Sequence, residues 1–160
     1  MSDNPIQFRF DDIEILSKNV VYKPFDSEKE FRYYYQVTAD SKVNISQGLV
    51  LVLVHTVIKS AEHETLASFN AVFTFEIVDF EKNIPKIGEG LYHVPDALND
   101  MFKQVSISTM RGIIYSELRG TYLHAAIMPV IFPPNSPNDN GSDTPPDFTE
   151  DIKAQEKSAG

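Results

Sequence analysis

Four histidines, His55, His63, His93 and His124, are the side chains here best placed to move protons or bind metal near neutral pH. None has a second histidine at helical spacing, and no His-Glu-x-x-His run occurs, so no zinc-hydrolase helix is encoded. His63 is followed by Glu64 in a polar stretch that offers no further ligands, and each histidine reads as solvated or structural. Asp11-Asp12 sets two carboxylates side by side, but a bulge with solvated carboxylates accounts for them better than a cation site. Gly88-Glu89-Gly90 is too short to cradle a phosphate, and no Walker, GxGxxG or GxSxG pattern appears. The chain has no cysteine, which excludes disulfides, thiolate nucleophiles and Cys-based zinc sites. No catalytic, metal or cofactor residue is therefore assigned, and an enzyme is not expected.

The elements that would position any functional surface come from length and patterning. A chain of 160 residues suits one domain with a sizeable core. Its formal charge of −9 disfavours nucleic-acid phosphates, because the lysines and arginines are scattered singly. The longest apolar run, 49–54, is far short of the ~20 residues that span a bilayer. Residues 1–5 show neither a basic n-region nor an apolar h-region. The expectation is a cytoplasmic protein with no membrane insertion and no nucleic-acid partner.

Strict alternation marks half-buried strands. Ile6, Phe8 and Phe10 alternate with Gln7 and Arg9, then the phase flips to Ile13 and Ile15, so Asp11-Asp12 reads as a bulge. Residues 31–39 place Phe31, Tyr33, Tyr35, Val37 and Ala39 on one face. Residues 49–59 form a strand that is apolar on both faces in its first half, and 60–64 a polar turn. Residues 66–77 direct Ala67, Phe69, Ala71, Phe73, Phe75 and Ile77 to one side. Short polar connections make these three strands an antiparallel meander.

Residues 79–92 read as a long crossover loop. A helix over 95–119 follows, with Pro95 in its first turn, Asp96 and Asp100 near its positive end and Arg119 near its negative end. Leu98, Met101, Phe102, Val105, Thr109, Gly112, Ile113 and Ser116 form its expected packing stripe, and Gly120 its stop. Residues 121–132 read as extended. The predicted fold class is α+β: a four-stranded antiparallel sheet, meander or Greek key, packed with one long helix in the C-terminal half.

The domain is predicted to fill residues 1–132. Residues 133–160 carry six acids against two bases, a net −4, and read as a disordered Pro/Asn/Ser-rich tail with Phe148 and Ile152 as its apolar points. Seven tyrosines and eleven phenylalanines supply generous aromatic surface. A two-faced sheet with one helix cannot cover itself, so its second face calls for another subunit or a long loop, and a homodimer or homotetramer is expected. Its contacts are predicted at Tyr34, Leu51 and Leu53 on the sheet and at Met101 and Val105 on the helix.

The element order resembles a known family, and short motifs carry the likeness further. The helix end reads Met110-Arg111-Gly112-Ile113-Ile114-Tyr115-Ser116-Glu117-Leu118-Arg119-Gly120-Thr121-Tyr122, followed by Ile127-Met128-Pro129-Val130-Ile131-Phe132. An earlier strand ends Phe73-Thr74-Phe75-Glu76-Ile77. These are similar to the bacterial protein-export chaperone SecB and its SecB-like relatives, over residues 31–132.

The resemblance implies a cofactor-free chaperone that works without ATP and assembles as a dimer of dimers. Its partners would be unfolded or export-bound polypeptides held in apolar grooves. Phe80, Ile84, Ile87, Leu91 and Tyr92 of the crossover, with Phe102 and Ile113 of the helix, would line such a groove. The resemblance also implies the SecA motor as a partner, reached through acidic sheet residues and a cysteine-bearing tail. This sequence has Ser68 and Asn70 at the corresponding strand positions, no cysteine, and Pro133-Pro134 where the family has a second helix. The alternative expectation is therefore a dedicated interaction module, or an antitoxin-type chaperone with a narrow client set and no SecA delivery.

Overall fold

The structure is a computed structural model that describes residues 6–22 and 32–130. The four long strands are β1 (Phe8–Val20), β2 (Tyr34–Asn44), β3 (Leu49–Lys59) and β4 (Thr65–Ile77). They form one antiparallel sheet in the order β1-β4-β3-β2. The meander β2-β3-β4 is closed by β1 returning beside β4, which is a Greek-key arrangement.

Cross-strand register sorts the side chains onto two faces. Val50, Val52, Val54, Thr56 and Ile58 of β3 share the inner face with Phe69, Ala71, Phe73 and Phe75 of β4, and all are fully or almost fully buried. The anticipated phase flip in β1 is present. Phe10 pairs with Phe75, Asp12 with Thr74 and Ile13 with Phe73, so Asp11 is the extra residue of a bulge. A second register shift falls between Ile15 and Ser17. The bulge at Asp11 keeps Phe8, Phe10, Ile13 and Ile15 all on the inner face.

The strand beginning at Phe31 starts in fact at Tyr34, and Phe31 lies outside the described residues. The crossover is not a plain loop. It carries a one-turn helix α1 (Phe80–Asn83) and a small antiparallel hairpin of β5 (Lys86–Gly88) and β6 (Leu91–Tyr92).

The long helix α2 spans Asp96–Leu118, with Pro95 at its N-cap and Gly120 in the left-handed region at φ 78° just past its end. Its buried row is Leu98, Phe102, Ser106, Met110, Ile114 and Leu118, which shares only Leu98 and Phe102 with the expected stripe. Gly112 and Ser116 are exposed, and Thr109 and Ile113 are only half-buried. Successive buried residues are four apart. At ~3.6 residues per turn that row advances by about 40° per step and winds round the helix, matching a twisted sheet rather than a flat one.

After the helix, residues 121–125 form turns rather than extended chain, and residues 126–130 join no strand. Thr121 N–H donates to Leu118 O at 3.1 Å, His124 N–H to Thr121 O at 3.2 Å and Ala126 N–H to Leu123 O at 2.8 Å. These successive turns fold Leu123, Ala126 and Met128 into the core. The expected tail, 133–160, lies outside the described residues.

Candidate functional site

The side chains that join sheet to helix are aromatic. Phe75 of β4 and Phe102 of α2 stack with ring centroids 4.4 Å apart and planes 20° apart. Phe8 meets Phe102 edge-on at 5.0 Å, and Phe10 meets Phe75 edge-on at 5.0 Å. Edge and offset contacts suit the ring quadrupole, and each adds ~0.5–1.5 kcal/mol beyond burial.

The helix covers β2, β3 and β4 more completely than β1. Phe8, Phe10, Ile13 and Ile15 point to the helix side yet remain 37–46% exposed. At the two ends of this strip, Phe8 touches Phe102 and Lys18 pairs with Glu117, so α2 runs beside β1 without closing over it. The result is an open apolar shelf along one margin of the sheet. The alternation in residues 6–15 announced the strand, but not that its inner side chains would be left uncovered.

The expected groove residues divide. Phe80, Ile84 and Phe102 are packed into the core. Tyr92 is half-buried against Phe80, with centroids 5.7 Å apart, and Ile113 is half-buried on the helix. Ile87 and Leu91 are 67% and 61% exposed on the hairpin, and they carry the accessible apolar surface of the crossover. Beside it lies a cleft of about 520 Å³ lined by Ile45, Gly48, Asp79, Phe80, Glu81 and Lys82.

The five expected assembly residues also divide. Tyr34, Leu51 and Leu53 lie on the outer face of the sheet, whereas Met101 and Val105 lie on the helix behind its inner face. Met101 packs on the core and Val105 is exposed. No single flat contact takes all five.

The polar chemistry is sparse and structural. On the outer face, His55 Nδ1 donates to Asn70 Oδ1 at 2.5 Å, and Asn70 Nδ2 donates to Ser17 Oγ at 2.7 Å. This ladder ties β3, β4 and β1, and it gives Asn70 a role the sequence did not reveal. His63 occupies a left-handed turn at φ 64°, and His93 lies 3.8 Å from Asp96 at the start of α2. Tyr122 donates to Val21 O at 2.6 Å. Burial, and then its neighbour Tyr33, push the Tyr35 hydroxyl up to about 12. Burial, and then Tyr122, raise Tyr33 above the ordinary tyrosine value.

Among the described residues, no group of three or more His, Asp or Glu side chains is arranged to hold a metal ion. No helix among them is long and apolar enough to cross a membrane.

No known family description matches the chain, and no curated protein matches it either. Among solved structures, the chain is similar to the Mycobacterium tuberculosis Rv1957 SecB-like chaperone in complex with a ChAD peptide from Rv1956 HigA1 antitoxin. The identity is 10% and the TM-score 0.49, over 69% of this chain and 81% of that one. The four-stranded antiparallel sheet with its long helix is the layout that the apolar patterning of the sequence predicts.

Proposed function

We propose that this chain is a holding chaperone, binding apolar segments of non-native polypeptides without a nucleotide or cofactor. The observation that carries this reading is the apolar shelf on β1. Monomeric proteins rarely leave contiguous apolar surface open unless something binds there. Phe8, Phe10, Ile13 and Ile15 form such a strip on a strand with its own aromatic support. Ile87 and Leu91 offer a second, separate contact, and two weak contacts on one extended client would raise the total affinity. The motifs at the helix end, with their SecB-like resemblance, point the same way.

A narrow client set is favoured over general holding. Phe80, Ile84 and Phe102 fill the interior between crossover and helix, so the accessible surface is a shelf and a hairpin rather than a deep channel. An antitoxin-type client, without delivery to SecA, fits this shape. Clients would be held in the cytoplasm by a homo-oligomer.

The test is aggregation of a chemically denatured model protein, followed by light scattering. The expected outcome is suppression at about one oligomer per client for an antitoxin-type client, weaker suppression for a general model protein, and loss of both in Ile15→Asp and Ile87→Asp. Both positions are well exposed, so these variants should keep the wild-type circular dichroism spectrum. Undiminished aggregation at several-fold excess of chaperone, for both general and antitoxin clients, would end this reading.

A further inference from the structure

The outer face of the sheet carries a pattern that client holding does not use. A simple rule governs antiparallel sheets with one solvated face: apolar residues point in and polar residues point out. β3 departs from it. Its outer positions include Leu49, Leu51, Leu53 and Val57, and Val72 of β4 lies in register with Leu53. Leu49, Leu51, Leu53 and Val72 form one half-buried apolar patch on the face, and the His55–Asn70 pair separates it from Val57. The margins differ in kind. Outer positions of β2 are Tyr34, Gln36, Thr38, Asp40, Lys42 and Asn44, and those of β1 include Arg9, Asp12, Glu14 and Ser17. An apolar centre inside a polar rim is the anatomy of a protein–protein interface.

The charges say what sort of partner fits. Arg9 is paired with Glu76 and lies 3.5 Å from Asp11. Counting Arg9 against Glu76, what remains is Asp11, Asp12 and Glu14 on the β1 side, against Lys42, Lys59 and Asp40 on the β2–β3 side. That is −3 on one margin and +1 on the other. A uniformly charged partner would match only one margin. A second copy matches both, because a two-fold axis parallel to the strands lays each acidic margin over the other copy's basic margin.

The size also suits. β3 has 11 residues and β4 has 13. At ~3.3 Å per residue and ~4.8 Å between strands, four such strands present roughly 700 Å². A standard interface uses about 800 Å² per partner. We infer that two copies of this chain pack outer face to outer face, with Leu51, Leu53 and Val72 at the centre of the contact. This surface lies across the sheet from the client shelf, and its assignment does not depend on client holding.

Sedimentation equilibrium tests the assignment on the full chain, which has a mass of 18.1 kDa. The wild type should give at least twice that mass at low micromolar concentration. Leu53→Glu should weaken association about 100-fold, because the contact would bury an unpaired charge. Leu53 is half-exposed in the single copy, so the variant should keep its fold by circular dichroism. Reversing the acidic margin with Asp12→Lys and Glu14→Lys should also weaken association, and adding Lys42→Glu and Lys59→Glu should restore it. A wild type that stays monomeric at high micromolar concentration overturns the inference. So does an oligomer unchanged by Leu53→Glu, or one lost only when Phe10 is replaced by Asp on the opposite face.

Discussion

Phe102 of the long helix stacks on Phe75 of β4 at 4.4 Å, and both rings are fully buried. The same Phe102 ring receives Phe8 edge-on, so one side chain fixes the helix over the sheet and supports the shelf. Phe102→Ala should lower unfolding free energy by ~3–5 kcal/mol, the usual cost of emptying a buried aromatic site. Urea denaturation followed by circular dichroism measures this. The variant should also lose client binding in mildly destabilising conditions before it unfolds globally.

Thr56 is fully buried on the inner face between Val54 and Ile58, and its hydroxyl has no partner among the described residues. An unsatisfied buried hydroxyl costs ~1–3 kcal/mol. Thr56→Val keeps the shape and removes the polar atom. The expected gain is about 1 kcal/mol, read as a higher urea midpoint with an unchanged slope.

Tyr35 links stability to alkaline pH. Burial raises its hydroxyl from 10.0 to about 12 in the folded chain. Between those values the unfolded chain has released this proton while the folded one still holds it. Stability conferred by the neutral group is thus fully present below pH 10.0 and is lost progressively as pH climbs toward about 12. Melting temperature should fall through that window. Tyr35→Phe should flatten the fall, with Tyr33 contributing what remains.

Gly48 and Gly112 should respond oppositely to alanine. Gly48 sits at φ +66°, and a Cβ there would meet the Phe80 Cβ at 3.2 Å. Gly48→Ala should lose ~1–2 kcal/mol from the left-handed backbone alone, with crowding adding to it. Gly112 is helical with nothing within 4 Å, so Gly112→Ala should gain ~0.5–1 kcal/mol. Thermal melts of the two variants should move in opposite directions.

Much of the sheet was legible in the sequence because a period of two leaves little freedom. The limits of β3, the inner set of β4 and the bulge at Asp11 all follow from which residues are apolar. The helix was legible in its ends but not in its rotation. Met101, Thr109, Gly112 and Ser116 satisfy helical spacing as well as the true row does, and only the twist of the sheet beneath selects among them. Ser106 illustrates the difficulty. It is fully buried because its hydroxyl donates to the Phe102 carbonyl at 2.8 Å, a bond invisible to any hydrophobic pattern. The groove residues were harder still. Phe80 and Ile87 look alike in sequence, but α1 turns Phe80 into the core while the hairpin holds Ile87 out.

The two irregularities in β1, at Asp11 and between Ile15 and Ser17, have a consequence for how far association can spread. An open strand margin templates the next chain's backbone, and a protein whose two margins both do so can polymerise without end. β2 offers 11 residues in unbroken register with β3, but β1 interrupts its regular spacing twice. A straight foreign strand could match only one of the short stretches 8–10, 12–15 or 17–20 at a time. Among the described residues β2 is the one margin of even register, so joining through it would use up that margin and stop at a pair. The exposed apolar strip on β1 thus lies along the margin least able to template fibril growth.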